Sequence, residues 1–158
     1  MTGRSAGETL RMVLRSADEE ARRRGDRRVG TDHLLLGLLH ESDSPAARAL
    51  GVSLEDARMA SETLDLAALA AVGVGIGAVG RRPTSGPARR LLPLSSGARA
   101  VVKRAVDEAR PHRTGRLDTG HFLTALLSLD RPYPAAELLH ALGAEPALVR
   151  DRLARLSG

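Results

Sequence analysis

The chain contains itself twice. Residues 17–41 read ADEEARRRGDRRVGTDHLLLGLLHE, and residues 105–129 read AVDEARPHRTGRLDTGHFLTALLSL. An offset of 88 pairs Ala17 with Ala105, Glu20 with Glu108, Thr31 with Thr119, His33 with His121 and Leu38–Leu39 with Leu126–Leu127. Further on, Pro45-Ala46-Ala47 echoes Pro134-Ala135-Ala136, and Ala49-Leu50-Gly51 echoes Ala141-Leu142-Gly143. A fold that must hold the same string twice is restricted to repeated architectures. Chance similarity in an Ala/Leu/Arg-rich chain explains the pairing poorly, because the shared residues are ordered and include Thr, His and Pro. The offset grows from 88 to 92 along this stretch, which predicts a third helix about one turn shorter in the first copy.

Each copy reads as helices. Leu10, Val13, Leu14, Ala17 and Ala21 recur at helical spacing over 8–24, and Gly25 is a plausible stop. Thr31 is expected as the N-cap of a second helix running to about Glu41, with Asp32 in its positive first turn. Ser44 with Pro45 starts a short third helix ended by Gly51. Ser53 caps a fourth, with Leu54, Ala57 and Met59 available for packing. The second copy repeats the plan over 95–111, 119–129, 134–142 and 146–156, with Ser95 and Thr119 as caps and Gly143 as a stop. Repeat one is thus expected at about 8–65 and repeat two at about 95–157, joined by a linker at about 66–94 in which Asp65 to Val72 forms one more helix. Four short helices make a thin core. Two copies packed as a pseudo-twofold pair bury more apolar surface, so the expected fold is all-α, a tandem repeat of two four-helix bundles.

Composition supports this class. Of 158 residues 42% are apolar but only 1% aromatic (Phe122 and Tyr133), so the interior must be built from Leu, Val and Ala, which suits close-packed helices. There is no cysteine, which removes disulfides and thiolate chemistry. No run approaches 18 uninterrupted apolar residues and no signal-peptide pattern opens the chain, so no membrane association and a cytoplasmic location are expected. Only Lys103 among 24 basic residues is a lysine. Arginine excess of this kind often follows a GC-rich genome, which discounts the high pI as a functional clue.

The strings GTDHLLLGLLHE and LDTGHFLTALLSL resemble the GTEHLLLGLL signature of the Clp N-terminal repeat. DEEARRRG and DEARPHR are similar to the end of the helix before it, and ALGVSLEDAR and ALGAEPALVR to the close of each repeat. The likeness covers about 120 of the 158 residues. In ClpA- and ClpC-type unfoldases this repeat occurs twice and forms an all-helical, pseudo-twofold domain that binds substrates and adaptors. The resemblance therefore implies a peptide- or protein-binding module, free-standing or cut from a longer chain, that acts as adaptor, decoy or regulator of a ClpC-like protease system. Its implied partners are a ClpC-like AAA+ unfoldase or that unfoldase's substrates. No G-x-x-x-x-G-K-[ST] is present, so no nucleotide hydrolysis is expected of this sequence.

In the ClpC branch the resemblance further implies a phosphoarginine site in each copy. A glutamate in the GTEH position pairs the guanidinium, and a threonine at the start of the repeat's first helix helps hold the phosphate. A carboxylate matches the guanidinium fork, and a helix N-terminus favours an anion. By position the first copy offers Asp32 and Gly7, and the second offers Gly120 and Ser95. Asp32 is one methylene shorter than glutamate, Gly120 has no side chain, and both Asp32 and Ser95 have plain helix-terminus explanations. Strong phosphoarginine binding is not expected, at the second copy especially.

Other patterns point elsewhere more weakly. His33 and His40 lie at i, i+7, about 10 Å apart along a helix, too far to share a metal; structural histidines near helix starts are expected. Gly75-Ile-Gly-Ala-Val-Gly80 matches G-x-G-x-x-G, but Arg81-Arg82-Pro83 cannot open the helix a dinucleotide site needs. No cofactor, metal or catalytic residue is expected. Arg22-Arg23-Arg24, Arg27-Arg28, Arg81-Arg82 and Arg89-Arg90 raise nucleic-acid binding as the alternative class. Interleaved acids and the shortage of aromatics argue against nucleic acid as a partner and favour a solvated arginine face. Sequestration of a small peptide-like ligand is a third possibility.

Overall fold

A computed structural model describes residues 4–73, 90–110 and 116–157. The Gly75–Gly80 motif, Arg81-Arg82, Arg89 and most of the expected linker lie outside the described residues. Eight helices follow one another in the described chain: α1 (Ala6–Arg24), α2 (Thr31–Leu38), α3 (Pro45–Leu50), α4 (Leu54–Ala71), α5 (Ser96–Ala109), α6 (Thr119–Leu127), α7 (Pro134–Ala141) and α8 (Pro146–Ser157). Each has a local cause. Ser5 closes a capping box on α1, accepting from Glu8 N at 3.2 Å while its own N–H donates to Glu8 Oε2 at 3.0 Å. Gly25 ends α1 at φ 75°, and Gly51 ends α3 at φ 67°, where a side chain is strained. Ser44, Ser53 and Ser95 cap α3, α4 and α5 as expected.

Three expectations about helix bounds and faces need correction. Helix α2 stops at Leu38 rather than about Glu41, because Leu39 N and His40 N turn back to the carbonyls of Leu36 and Gly37 and tighten the last turn. Helix α4 runs unbroken from Leu54 to Ala71, so the stretch from Asp65 is its continuation; no Gly or Pro interrupts it before Gly73. Met59 is 63% exposed, because Ala57 and Ser61 face inward instead. The third helix is shorter in the first copy, at 6 residues in α3 against 8 in α7, which is about half a turn rather than the full turn expected.

The packing repeats with the sequence. In each copy the first helix lies along the second: α1 on α2, α5 on α6. Between copies, α2 meets α6 while α2–α7 mirrors α3–α6, and α4–α7 mirrors α3–α8. This is the pseudo-twofold arrangement, and it gives one continuous core. Phe122, Leu34, Leu35, Leu123, Leu126 and Leu138 are buried in it from both sides. Gly37 lets α2 approach the backbone of α1: a Cβ there stands 2.9 Å from the backbone N of Ala17.

Thr31 and Thr119 do not cap their own helices. Gly30 and Asp118 hold those N-cap positions. Instead Thr31 Oγ1 accepts from Ala135 N at 3.0 Å, and Thr119 Oγ1 accepts from Ala46 N at 3.2 Å. Pro45 and Pro134 open α3 and α7, so Ala46 and Ala135 carry the first amide hydrogens of their helices, which no helical carbonyl reaches. Each copy thus satisfies an orphan donor of the other.

Residues 90–94 are pinned to the first copy. Val29 and Leu94 form a parallel bridge, with Val29 N donating to Pro93 O and Ser95 N to Val29 O, both at 2.9 Å. Buried Asp18 accepts from Leu92 N at 2.7 Å and from Arg22 Nε at 2.8 Å, and Arg22 Nη2 donates to Arg90 O at 2.8 Å. No described helix is long and apolar enough to cross a membrane.

Candidate functional site

Of the four residues expected to hold a ligand, Asp32 and Ser95 lie close to one junction between the copies, and Gly7 and Gly120 stand in the first turns of α1 and α6. Asp32 stands in the first turn of α2, beside the end of α1, and accepts from Arg24 Nη1 at 2.9 Å. Gly7 lies in the first turn of α1, 17 residues before Arg24 and so about 25 Å away along the axis. The structure therefore separates the two positions that the first copy offers. Ser95 is placed against the first copy, because its N–H is bonded to Val29 in the loop that leads to Asp32. Tyr133 covers the same junction: a Cβ on Gly97 stands 3.0 Å from its ring and 3.3 Å from Thr31 Cγ2. Gly120 sits in the first turn of α6, where a Cβ meets Asp118 Oδ1 at 2.9 Å and Leu153 Cδ1 at 3.2 Å. The start of α1 faces that second junction across a cavity of about 320 Å³ lined by Arg4, Thr9, Ser44, Arg116, Asp118 and Thr119.

The larger opening is on the Asp32 side. A cleft of about 490 Å³ lies between α4 and the start of α7. Leu64, Ala68, Pro134 and Leu138 supply apolar lining, and Arg24, Asp32, Ser61 and Asp65 supply polar lining. Arg24 Nη1 donates to Ser61 Oγ at 2.7 Å as well as to Asp32, its Nε lies 3.2 Å from Asp26 Oδ2, and its Nη2 lies 3.5 Å from Asp65 Oδ1. One guanidinium thus meets three carboxylates drawn from the α1–α2 loop, α2 and α4. Across the cleft Glu137 accepts from Arg131 Nε and Nη2, each at 3.0 Å, and that pairing keeps its carboxyl below the usual range.

The family model for the Clp repeat (R) N-terminal domain matches residues 2–53. The chain is 33% identical over 149 residues to the chloroplastic chaperone protein ClpC2 of Oryza sativa subsp. japonica and, equally, to the chloroplastic ClpC1 of Arabidopsis thaliana. These alignments cover 92% of this chain and 14% of each relative. The crystal structure of the N-terminal domain of ClpD from Arabidopsis thaliana superimposes with a TM-score of 0.70 at 24% identity, covering 96% of this chain and 94% of that one. The chain belongs to the Clp N-terminal repeat family. It spans about a seventh of the length of the curated relatives it matches.

Within this Clp N domain the motif histidines are structural, as expected. His33 Nδ1 accepts from Gly30 N at 2.8 Å, which places the neutral ring's proton on Nε2, 2.8 Å from Asp26. His121 Nδ1 accepts from Asp118 N at 3.1 Å in the second copy. Two arginines of the 22–24 run are engaged, Arg22 with Asp18 and the Arg90 carbonyl and Arg24 with the acidic group, so this run is not a free phosphate-binding face.

Sequence reasoning missed a buried, forked ion pair of the Clp domain. Glu20, 2% exposed, takes a forked contact from Arg58 on α4, Nε at 2.7 Å and Nη2 at 2.9 Å, while His40 Nε2 stands 3.5 Å away. Burial pushes the Glu20 carboxyl up, but His40 and the Arg58 fork outweigh it and hold it at about 2. Residues 38 apart carry no periodic signal. An acid on the buried face of an amphipathic helix was the available clue. Arg24 was missed for the same reason: its partners at 26, 32, 61 and 65 converge only in the fold.

Proposed function

We propose that this Clp N domain is a non-enzymatic module that binds peptide segments of protein partners, working in the cytoplasm as adaptor, decoy or regulator of a ClpC-like protease system. Its partners are a ClpC-like unfoldase or that unfoldase's substrates. The observation that carries the reading is the combination of a repeated helical unit, whose first copy matches the Clp repeat, with an open cleft at the junction of the two copies. Likeness to ClpC chaperones over 92% of the chain supports it. Of the two phosphoarginine-type positions, we place the stronger at the junction that Asp32 shares with Ser95. The start of α5 contributes a helix N-terminus there and Asp32 a carboxylate. Gly7 and Gly120 offer no side-chain group at theirs.

Calorimetric titration against the cognate unfoldase and against its degradation-tagged substrates tests this. Binding to either supports the module, and silence in both overturns it. Affinity for non-specific DNA that falls steeply with salt, with no protein partner bound, overturns it in favour of nucleic-acid binding. Asp32→Ala is expected to abolish binding of phosphoarginine while the helical circular dichroism is unchanged; binding indifferent to Asp32 removes the site.

A further inference from the structure

We propose that Arg24 is an internal competitor: it occupies the Asp32 carboxylate, and the cleft takes an arginine side chain from a peptide only by displacing it. This rests on the reading of the domain as a peptide-binding module and adds the regulation of its cleft.

Three observations carry it. First, the acceptors around Arg24 form a cage for a guanidinium, with Asp32 Oδ2 at 2.9 Å, Ser61 Oγ at 2.7 Å and Asp26 and Asp65 farther out. A planar fork with five donors suits such a cage, whereas a single ammonium cannot span it. Second, Arg24 fits the cage poorly. Both short bonds leave from one nitrogen, Nη2 reaches Asp65 only at 3.5 Å, and buried Nε has no hydrogen-bond acceptor in line. It is tethered at the last residue of α1, which limits how it can turn. A side chain arriving from the cleft has no such tether. Third, the cage opens directly into the cleft of about 490 Å³, whose apolar lining of Leu64, Ala67, Ala68 and Leu138 suits the methylene stem and small apolar neighbours of an incoming residue.

The physical consequence is competition within one molecule. A tethered competitor acts at a high effective concentration, so the apparent affinity for an arginine peptide is the intrinsic affinity scaled down by the fraction of time Arg24 is away. Removing Arg24 should therefore increase affinity.

The test uses the blocked peptide acetyl-Ala-Leu-Arg-Leu-Ala-amide and its citrulline analogue, which keeps shape and loses charge. Titrations followed by nuclear magnetic resonance compare the unaltered protein with Arg24→Gln and Arg24→Lys. At least tenfold tighter binding of the arginine peptide to Arg24→Gln is expected, no gain for the citrulline peptide, and loss of the gain when Asp32→Asn is added. Arg24→Lys keeps a cation among the acids, so it decides the matter if Arg24→Gln fails to fold. It is a weaker competitor and should show a smaller gain of the same sign. No gain in the folded variants, or an equal gain for citrulline, overturns the proposal. If that happens while the unaltered protein still binds its unfoldase, the competitor alone is lost and the module stands. If nothing binds, both fall.

Discussion

Replacing Glu20 with glutamine should remove a pH-dependent part of the stability. The sign follows from the depressed carboxyl. A group held at about 2 when folded and at 4.5 when unfolded contributes stability that is fully present above 4.5 and is lost as pH falls through 2. The separation of about 2.5 units corresponds to roughly 3 kcal/mol at neutral pH, at about 1.4 kcal/mol per unit. Burial at 2% exposure means that solvent screens little of it. At pH 3 the same linkage leaves well under half, so about 2 kcal/mol disappears between pH 7 and pH 3. Other carboxylates titrate over the same interval, which makes the raw stability of either protein uninformative. The useful quantity is the difference between the two proteins. Urea unfolding of the unaltered protein and of Glu20→Gln, at pH 7 and again at pH 3, should show the gap between them shrink by about 2 kcal/mol. A gap that is the same at both pH values would refute the claim that the Arg58 fork and His40 hold Glu20 ionised.

The exchanged caps can be cut one at a time. Thr31→Val and Thr119→Val each strand one amide hydrogen of the other copy's third helix and should each cost about 1–2 kcal/mol in denaturant unfolding. Thr31→Val should cost more, because α7 has no side-chain cap of its own whereas α3 retains Ser44. Gly37→Ala pushes a methyl to 2.9 Å from the Ala17 backbone and should destabilise by about 1–3 kcal/mol, seen as a lower melting temperature. Asp18→Ala releases Leu92 and Arg22 and should speed hydrogen exchange at the Leu92 and Ser95 amides, while the α2 amides keep their protection.

The layout of helices was readable because its determinants are local. Capping serines, first-turn prolines and terminal glycines at 25 and 51 act within one turn, and the repeat supplied the first-turn proline and the glycine after the third helix twice, at Pro45 and Pro134 and at Gly51 and Gly143. The readings that failed depend on the other copy or on tertiary packing. Thr31 has the side chain of an ideal cap, and only the position of α7 shows that its hydroxyl serves Ala135. Met59 has the hydrophobicity of a core residue, but the rotation of α4 is set by Arg58 reaching Glu20 and by Ser61 reaching Arg24. The candidate site was named from position in the repeat, which carries no information on distance. Position in the repeat joins Gly7 to Asp32, whereas a 19-residue helix holds them apart and the bridge at Val29 brings Ser95 to the loop before Asp32.

The threonine exchange bears on where such a domain comes from and how it can be divided. Two identical single-repeat chains meeting about a twofold axis would make the Thr–Ala bond twice, each hydroxyl serving its neighbour's helix. Thr31 to Ala135 and Thr119 to Ala46 are that pair of bonds within one polypeptide, the geometry a twofold homodimer has. Halves expressed as separate polypeptides should accordingly stay unfolded alone and regain helix together, in a concentration-dependent way.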